Sequence, residues 1–170
     1  MLSDYWKMKI SPNAESQFAE LASISGSSGK KVALIKWQQL DPLVAGMFPE
    51  WYRDLLSRHA LAGVAYDIDT EHHQIHGIGL TEPDMLLGDV EELCQGLWAF
   101  RALIDSPYFP IGFTEDGDVF VSKRDLPTGV YEFRPESGGG DVFIAAVASK
   151  PQWEDLGDFA AELIPEDYEA

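Results

Sequence analysis

The sequence has a single cysteine, Cys94, and no long apolar run. One cysteine cannot form an internal disulfide, and few disulfides are expected in a reducing compartment. The apolar runs are too short to cross a bilayer, and the first residues, MLSDYWKMKISP, have neither the basic start nor the apolar stretch of a secretory leader. We therefore expect a cytoplasmic protein that does not bind membranes.

Basic residues are also scarce. The chain has 12 Lys and Arg residues against 29 Asp and Glu residues, which gives a net charge of -17. The imbalance is local. Residues 1–58 carry seven basic and six acidic side chains, whereas residues 59–170 carry five and twenty-three. Such a surface repels phosphate backbones, so we expect no nucleic-acid partner. It favours association with a basic protein, and solubility alone is the other explanation.

Catalytic and cofactor motifs are missing as well. No serine lies in a G-x-S-x-G turn, Gly77-Ile78-Gly79 lacks the downstream glycine of a dinucleotide loop, and Gly138-Gly139-Gly140 has no following Lys-Ser or Lys-Thr. Cys94 falls on the apolar stripe of a predicted helix, where a thiol packs and does not react. His59 follows a predicted helix end and is expected to support it. The sequence therefore predicts neither an enzyme nor a cofactor.

Hydrophobic periodicity, in contrast, is clear along most of the chain. Helical spacing is found at Asn13–Ser23, Pro49–His59, Asp89–Ile104 and Pro151–Ile164. Strand patterns are found at Val64–Ile68, Ile75–Leu80, Phe109–Phe113, Val119–Lys123, Val130–Arg134 and Val142–Val147. Val32–Leu40 fits either period. In the predicted helix that begins at Pro49, Pro49 is expected at the first helical position, and Gly63 is expected to end the helix.

This order of elements predicts an α+β fold, a single domain with a mostly antiparallel sheet of five to six strands packed with helices. Residues 1–30, which end in a Ser/Gly-rich connector, are predicted to be an N-terminal extension, and residues 31–170 the domain itself.

The segment Asp67–His76 holds three carboxylates and three of the four histidines, all of them possible metal ligands. On a strand, His73 and His76 point to opposite sides, whereas Asp67 and Asp69 share one face. This division favours a polar hairpin tip over a metal centre, and we predict no metal site. A metal-dependent hydrolase is the alternative, and it would use Asp67, Asp69, His72, His73 or His76.

A second acidic group is Glu115-Asp116-Gly117-Asp118, between two strand-like segments. It lacks the alternating oxygen ligands and the distant glutamate of a calcium-binding loop. Asp-Gly between two strands is instead the strongest local signal for a hairpin turn. We therefore expect a turn that presents fixed negative charge.

The order of three stretches resembles the SUKH superfamily, which includes fungal cell-wall-synthesis regulators and bacterial toxin-immunity proteins. Phe48–Leu56 is similar to the family's Pro-led first helix, with its aromatic, basic and double-apolar pattern. Phe109–Val121 resembles the central hairpin, and Gly129–Phe133 the strand after it. The helix around Phe159 looks like the closing helix, so the resemblance covers residues 37–164.

The resemblance implies a binding domain without a catalytic centre. Bacterial members neutralise toxin domains, often nucleases, and a nuclease presents a basic groove. We therefore expect a cognate protein toxin with a basic surface as the partner of a monomer or homodimer. A regulatory scaffold, as in the fungal members, is the alternative. From the charge asymmetry, the expected partner-binding residues are Asp67, Asp69, Glu115, Asp116 and Asp118.

Overall fold

The structure is a computed structural model, which describes residues 9–25, 29–44, 46–69, 74–80, 103, 106–113, 119–133 and 150–165. It combines helices with an antiparallel sheet, which confirms the expected α+β class. The described helices are α1 Pro12–Ser25, α2 Leu34–Val44, α3 Glu50–Arg58 and α4 Leu156–Ala161. The described strands are β1 Ala65–Asp69, β2 Gln74–Leu80, β3 Tyr108–Phe113, β4 Val119–Lys123, β5 Leu126–Phe133 and β6 Leu163–Pro165. The predicted helix Asp89–Ile104, apart from Leu103, and the predicted strand Val142–Val147 lie outside the described residues.

The six strands form one sheet in the order β5-β4-β3-β2-β1-β6, and each neighbouring pair is antiparallel. The two predicted hairpins, β1–β2 and β3–β4, are confirmed by their pairing. Strand β5 begins at Leu126, four residues before the predicted start at Val130, because the two-residue turn after Lys123 brings Leu126 opposite Lys123.

The segment Val32–Leu40, whose pattern fits a helix or a strand, lies mostly in helix α2. Its buried side chains, Trp37 and Leu40, lie three residues apart, which is helical spacing. Arg53 of α3 fastens this helix, because its guanidinium donates to both carboxylate oxygens of Asp41 and lies 5.6 Å from the centre of the Trp37 ring. Helices α2 and α3 are therefore joined by polar as well as apolar contacts.

Helix α3 corrects two details of the sequence-based prediction. Pro49 is the residue before the helix, with an extended backbone, and Glu50 is the first helical residue. The helix ends at Arg58 because His59 is already extended, so the prediction that Gly63 ends it was wrong. With a φ of +79°, Gly63 instead forms the turn into β1, a backbone conformation that glycine adopts without strain.

Two aromatic groups fill the space between the helices and the sheet. The first joins α2, α3 and β3 and consists of Trp37, Phe48, Trp51, Tyr52 and Phe109, with neighbouring ring centroids 5.0–6.1 Å apart. The second joins β4 to α4 and consists of Phe120, Trp153 and Phe159, at 5.0–5.9 Å. Rings at these separations add specific edge-to-face attraction to their burial.

The opposite face of the sheet is also buried at its β3–β5 side. Tyr108 and Tyr131 pack edge to face with ring centroids 5.5 Å apart. The Lys123 ammonium lies within 6 Å of the centres of both rings, at 5.9 and 5.8 Å. Burial raises the pKa of Tyr108 above its ordinary value.

The C-terminal segment differs from the helix predicted at Pro151–Ile164. Residue Trp153 instead pairs with β5, since its backbone N–H donates to Val130 O and its carbonyl accepts from Val130 N–H. Helix α4 begins only after this pairing, and Leu163 already belongs to β6, beside β1. The predicted core positions of this segment are buried nonetheless: Trp153, Leu156, Phe159, Ala160 and Leu163.

Asp155 links the first and last described helices. Its carboxylate accepts hydrogen bonds from the Ser11 hydroxyl at 2.9 Å, the Asn13 amide at 2.8 Å and the Gly157 backbone N–H at 3.1 Å. Ser11 in turn accepts from the Ala14 backbone N–H and so caps α1. One carboxylate therefore lies at the N-termini of both α1 and α4, where the helix dipoles favour negative charge.

Helix α1 also contributes to the common core, through Ala14, Phe18 and Leu21. Residues 12–25 therefore pack against the rest of the core through the buried face of α1. The division of the chain into an extension of residues 1–30 and a domain of residues 31–170 stays a prediction.

Replacing Asp155 by Ala is expected to lower the free energy of unfolding by about 2 kcal/mol, because the half-buried Ser11 hydroxyl and the buried Gly157 N–H lose their acceptor, as does the exposed Asn13 amide. Asp158→Ala is the matched control, since Asp158 is exposed on the same helix, and we expect it to change stability by about 0.5 kcal/mol or less. Urea unfolding followed by tryptophan fluorescence measures both. Equal losses in the two variants would contradict the linking role of Asp155.

Candidate functional site

Of the two acidic residues of β1, Asp67 lies on the face of the sheet that points away from α1 and α3. Tyr66 and Ile68 are buried in the core between helices and sheet, and strand alternation therefore places Asp67 on the other face. For Asp69, the structure describes only the backbone, as the last residue of β1. Asp67 is partly exposed and lies opposite Ile164 of β6. That the two aspartates share one face of the strand stays a prediction.

The other three predicted partner-binding residues, Glu115, Asp116 and Asp118, lie outside the described residues. The strands that flank them are described. Strand β3 ends at Phe113 and β4 begins at Val119, and these two residues are paired across the hairpin. The structure therefore fixes the point at which the chain leaves the sheet and returns to it.

The register places that point at the same end of the sheet as Asp67 and Asp69. Gly79 of β2 is paired on one side with Ala65 of β1 and on the other with Phe113 of β3. Strands β1 and β3 run in the same direction, because both are antiparallel to β2, so they end on the same side of this row. Asp69 lies four residues beyond Ala65, or about 13 Å. We call this side of the sheet, where β1 and β3 end, the acidic end.

The alternative metal site is not assembled by the described residues. His72 and His73 lie outside them, and only the backbone of His76 is described, within β2. Among the described side chains, no group of three or more His, Cys, Asp and Glu residues has an arrangement that could hold a metal ion. The metal-dependent hydrolase stays a sequence-based alternative.

A network of charged side chains joins α1 to the end of α3, and the sequence analysis missed it. Both oxygens of the Glu15 carboxylate accept from the Arg58 guanidinium, and Oε1 also lies 2.8 Å from Nε2 of His59. Arg58 Nε donates to Asp54 Oδ2 at 2.8 Å. We call these four residues the Glu15 network.

The network has a clear electrostatic consequence. Hydrogen bonds from Arg58, and secondarily from His59, lower the pKa of Glu15 from 4.5 to about 2, although partial burial opposes the change. The same bond to Glu15 raises the pKa of Arg58 above its ordinary value. Both groups therefore keep their charges across the physiological range of pH.

Beside the network lies a groove of about 480 Å³, within the size range of small-ligand sites. Its apolar walls are Ile10, Pro12 and Trp51. The Trp51 indole N–H donates to the carbonyl of Arg124 at 3.0 Å, so the ring presents only apolar atoms to the groove. We call this feature the α1–α3 groove.

The groove lies at the end of the sheet remote from the acidic end. Arg124, to which Trp51 is bonded, belongs to the turn between β4 and β5, and this turn is at the opposite end of β4 from Val119. The two features therefore lie towards opposite ends of the sheet.

No local pattern could have revealed the groove or the network. Glu15 and Arg58 are 43 positions apart, and each looks like an ordinary charge on a helix surface. The sequence-based interpretation of His59 as support for a helix end is compatible with its contact with Glu15, but it does not name the partner. Only the packing of α1 beside α3 brings the residues together.

Comparison with known proteins adds no relative, since no family model, no curated protein and no solved structure matches the chain. Among the helices that the structure describes, none has both the length and the apolar character needed to span a bilayer.

The lowered pKa of Glu15 predicts a specific loss of stability in acid. A carboxylate with a folded-state pKa of about 2 and an ordinary value of 4.5 contributes fully above pH 4.5, and its contribution disappears as the pH falls towards 2. Its side chain is 40% exposed, so solvent screening limits the contribution to about 1 kcal/mol or less. We expect Glu15→Gln to lack this part of the acid dependence.

The measurement is the midpoint of urea unfolding between pH 2 and pH 7 in the parent and the variant. Glu20→Gln is the control, because Glu20 is exposed on the same helix and should leave the acid dependence unchanged. Parallel pH curves for the parent and Glu15→Gln would show that the network does not stabilise the fold.

Proposed function

We propose that this chain is a non-catalytic binding protein of the immunity type, which neutralises a cognate toxin by covering a basic surface with its acidic end. The observation that carries the proposal is the convergence of two acidic segments. Asp67 and Asp69 end β1, and the connection that contains Glu115, Asp116 and Asp118 joins β3 to β4 at that same end. These segments are 46 or more positions apart in sequence, and the register of the sheet brings their ends to one side.

The charge of the chain supports a basic partner. Residues 59–170 carry an excess of eighteen negative charges, and all five of these carboxylates belong to that part of the chain. A nuclease that binds a phosphate backbone needs a positive groove, and a cluster of carboxylates is complementary to it in charge. Complementary fields of this kind mainly raise the association rate and select the partner.

The resemblance to the SUKH superfamily supports the same proposal. It rests on an order of elements, and the described part of the chain has α3, the β3–β4 hairpin and β5 in that order. A toxin-immunity protein acts by occupying its partner, which requires a stable surface and no catalytic group of its own.

The direct experiment begins with the gene neighbourhood, where the proposal expects a toxin gene immediately upstream, and then tests whether this chain protects a cell from that toxin. Co-expression with the C-terminal domain of that toxin should restore growth, and the purified proteins should form a complex with nanomolar affinity. A toxin domain that neither binds the chain nor is neutralised by it would sink the proposal.

The acidic end makes a sharper prediction about rate. We expect Asp116→Lys combined with Asp118→Lys to slow association with the toxin domain by about tenfold at low salt, with a smaller change in dissociation. The association rate and its salt dependence are measured by surface plasmon resonance at several ionic strengths.

The matched control is Glu20→Lys combined with Glu154→Lys, since both residues are exposed and lie on other elements of the fold. This variant has the same net charge as the first. If both variants slow association equally, net charge and not the acidic end directs binding, and the location of the interface is wrong.

A further inference from the structure

We propose that the α1–α3 groove is the docking site of the chain's own N-terminal arm, by which we mean residues 1–8, MLSDYWKM. The aromatic pair of the arm, Tyr5 and Trp6, supplies the rings that dock against Trp51. The arm lies outside the described residues, and three observations favour it as the occupant: the walls of the groove, their balance of charge and the point at which the described chain begins. Neither the groove nor the arm belongs to the acidic end, so the docking is independent of the proposed function.

The walls of the groove favour an apolar, aromatic occupant. Ile10 is partly buried, and Trp51 is buried with an exposed fraction of only 6%. The Trp51 ring is fixed, because its N–H is bonded to Arg124 O and its centroid lies 5.3 Å from that of Phe109. A ring that packs on a fixed apolar surface gains both from burial and from specific contact between aromatic rings. The arm provides two such rings on neighbouring residues.

The charged residues that line the groove favour an occupant without net charge. The charged lining consists of two cations and two anions: Lys9, Arg58, Glu15 and Asp54. Their charges sum to zero, and both oxygens of Glu15 are already bonded to Arg58 or His59. An occupant with a large charge of either sign therefore finds no excess of opposite charge to offset its loss of water.

The composition of the arm matches this lining. Its charged side chains are Asp4 and Lys7, which have opposite signs. Five of its eight residues are apolar, namely Met1, Leu2, Tyr5, Trp6 and Met8. The arm therefore brings apolar surface to the groove and adds no net side-chain charge.

Covalent attachment places the arm at the groove. The described chain begins at Lys9, and Lys9 and Ile10 both line the groove. Trp6 precedes Lys9 by three residues, so the Cα atoms of the two residues lie within about 11 Å of each other. A tethered occupant at this range has an effective concentration on the order of millimolar. A free small ligand or an apolar segment of a partner must compete with it.

The direct test is a contact between the arm and Trp51 in the full chain, measured by nuclear magnetic resonance. Trp6→Phe and Trp51→Phe assign the two indole N–H resonances among the five tryptophans. We expect nuclear Overhauser effects between ring protons of the aromatic pair and those of Trp51, and a shift of the Trp51 indole resonance in Trp6→Ser. Trp6→Phe is the matched control, because it keeps an aromatic ring and should shift the Trp51 resonance less.

A free peptide tests whether the arm occupies the groove. An unlabelled synthetic peptide of residues 2–8 should bind the Trp6→Ser chain at roughly millimolar concentration and shift its Trp51 resonance saturably. The parent chain should bind this peptide about three- to tenfold more weakly, because its own arm competes. A control peptide in which serine replaces both aromatic residues should leave the resonance unchanged. Urea unfolding checks that the Trp6→Ser chain is folded.

Three results would overturn the proposal. The first is a full chain without Overhauser effects between the arm and Trp51, whose Trp51 resonance Trp6→Ser leaves unchanged. The second is equal binding of the serine-substituted peptide. The third is a Trp51 resonance in the parent that shifts with protein concentration, which would place the arm in the groove of a second copy. Neutralisation of the toxin is measured separately, so failure of either proposal leaves the other standing.

Discussion

The contact on which both ends of the described fold depend is the carboxylate of Asp155. It accepts from Ser11, Asn13 and the backbone of Gly157, and so it holds the N-termini of α1 and α4 together. Strand β6 follows α4 almost at once and pairs with β1, so the position of α4 also determines where the sheet ends on that side. One half-buried carboxylate thus joins the N-termini of two helices, and the second of these helices leads into the strand that pairs with β1.

Gly157 shows how closely these parts approach each other. A Cβ atom at this position would lie 2.2 Å from Nδ2 of Asn13 and 2.7 Å from Oδ2 of Asp155. Any larger residue would therefore push apart the groups that make the cap. With α1 held in this way, Glu15 comes within reach of Arg58, and the α1–α3 groove forms between the two helices. The groove is a consequence of the cap.

The acidic end and the α1–α3 groove arise from different physics. The acidic end depends on backbone register, since Gly79 pairs with both Ala65 and Phe113, so that β1 and β3 end on one side of this row of the sheet. The groove depends on side-chain packing, through the fixed ring of Trp51 and the paired charges of Glu15 and Arg58.

The sequence by itself determined the class of the fold and most of its elements. Periodicity identified α1, α3 and five of the six described strands, because burial of one face imposes a repeat of 3.6 or 2 residues on the chain. It misplaced the C-terminal segment, since the helical spacing of Trp153 and Leu163 also suits the buried sides of a bridge and a strand. Only the tertiary structure decided the ends of these elements, the register that aligns β1 with β3, and the pairing of Glu15 with Arg58. Those features depend on contacts between residues far apart in the chain, which local patterns do not encode.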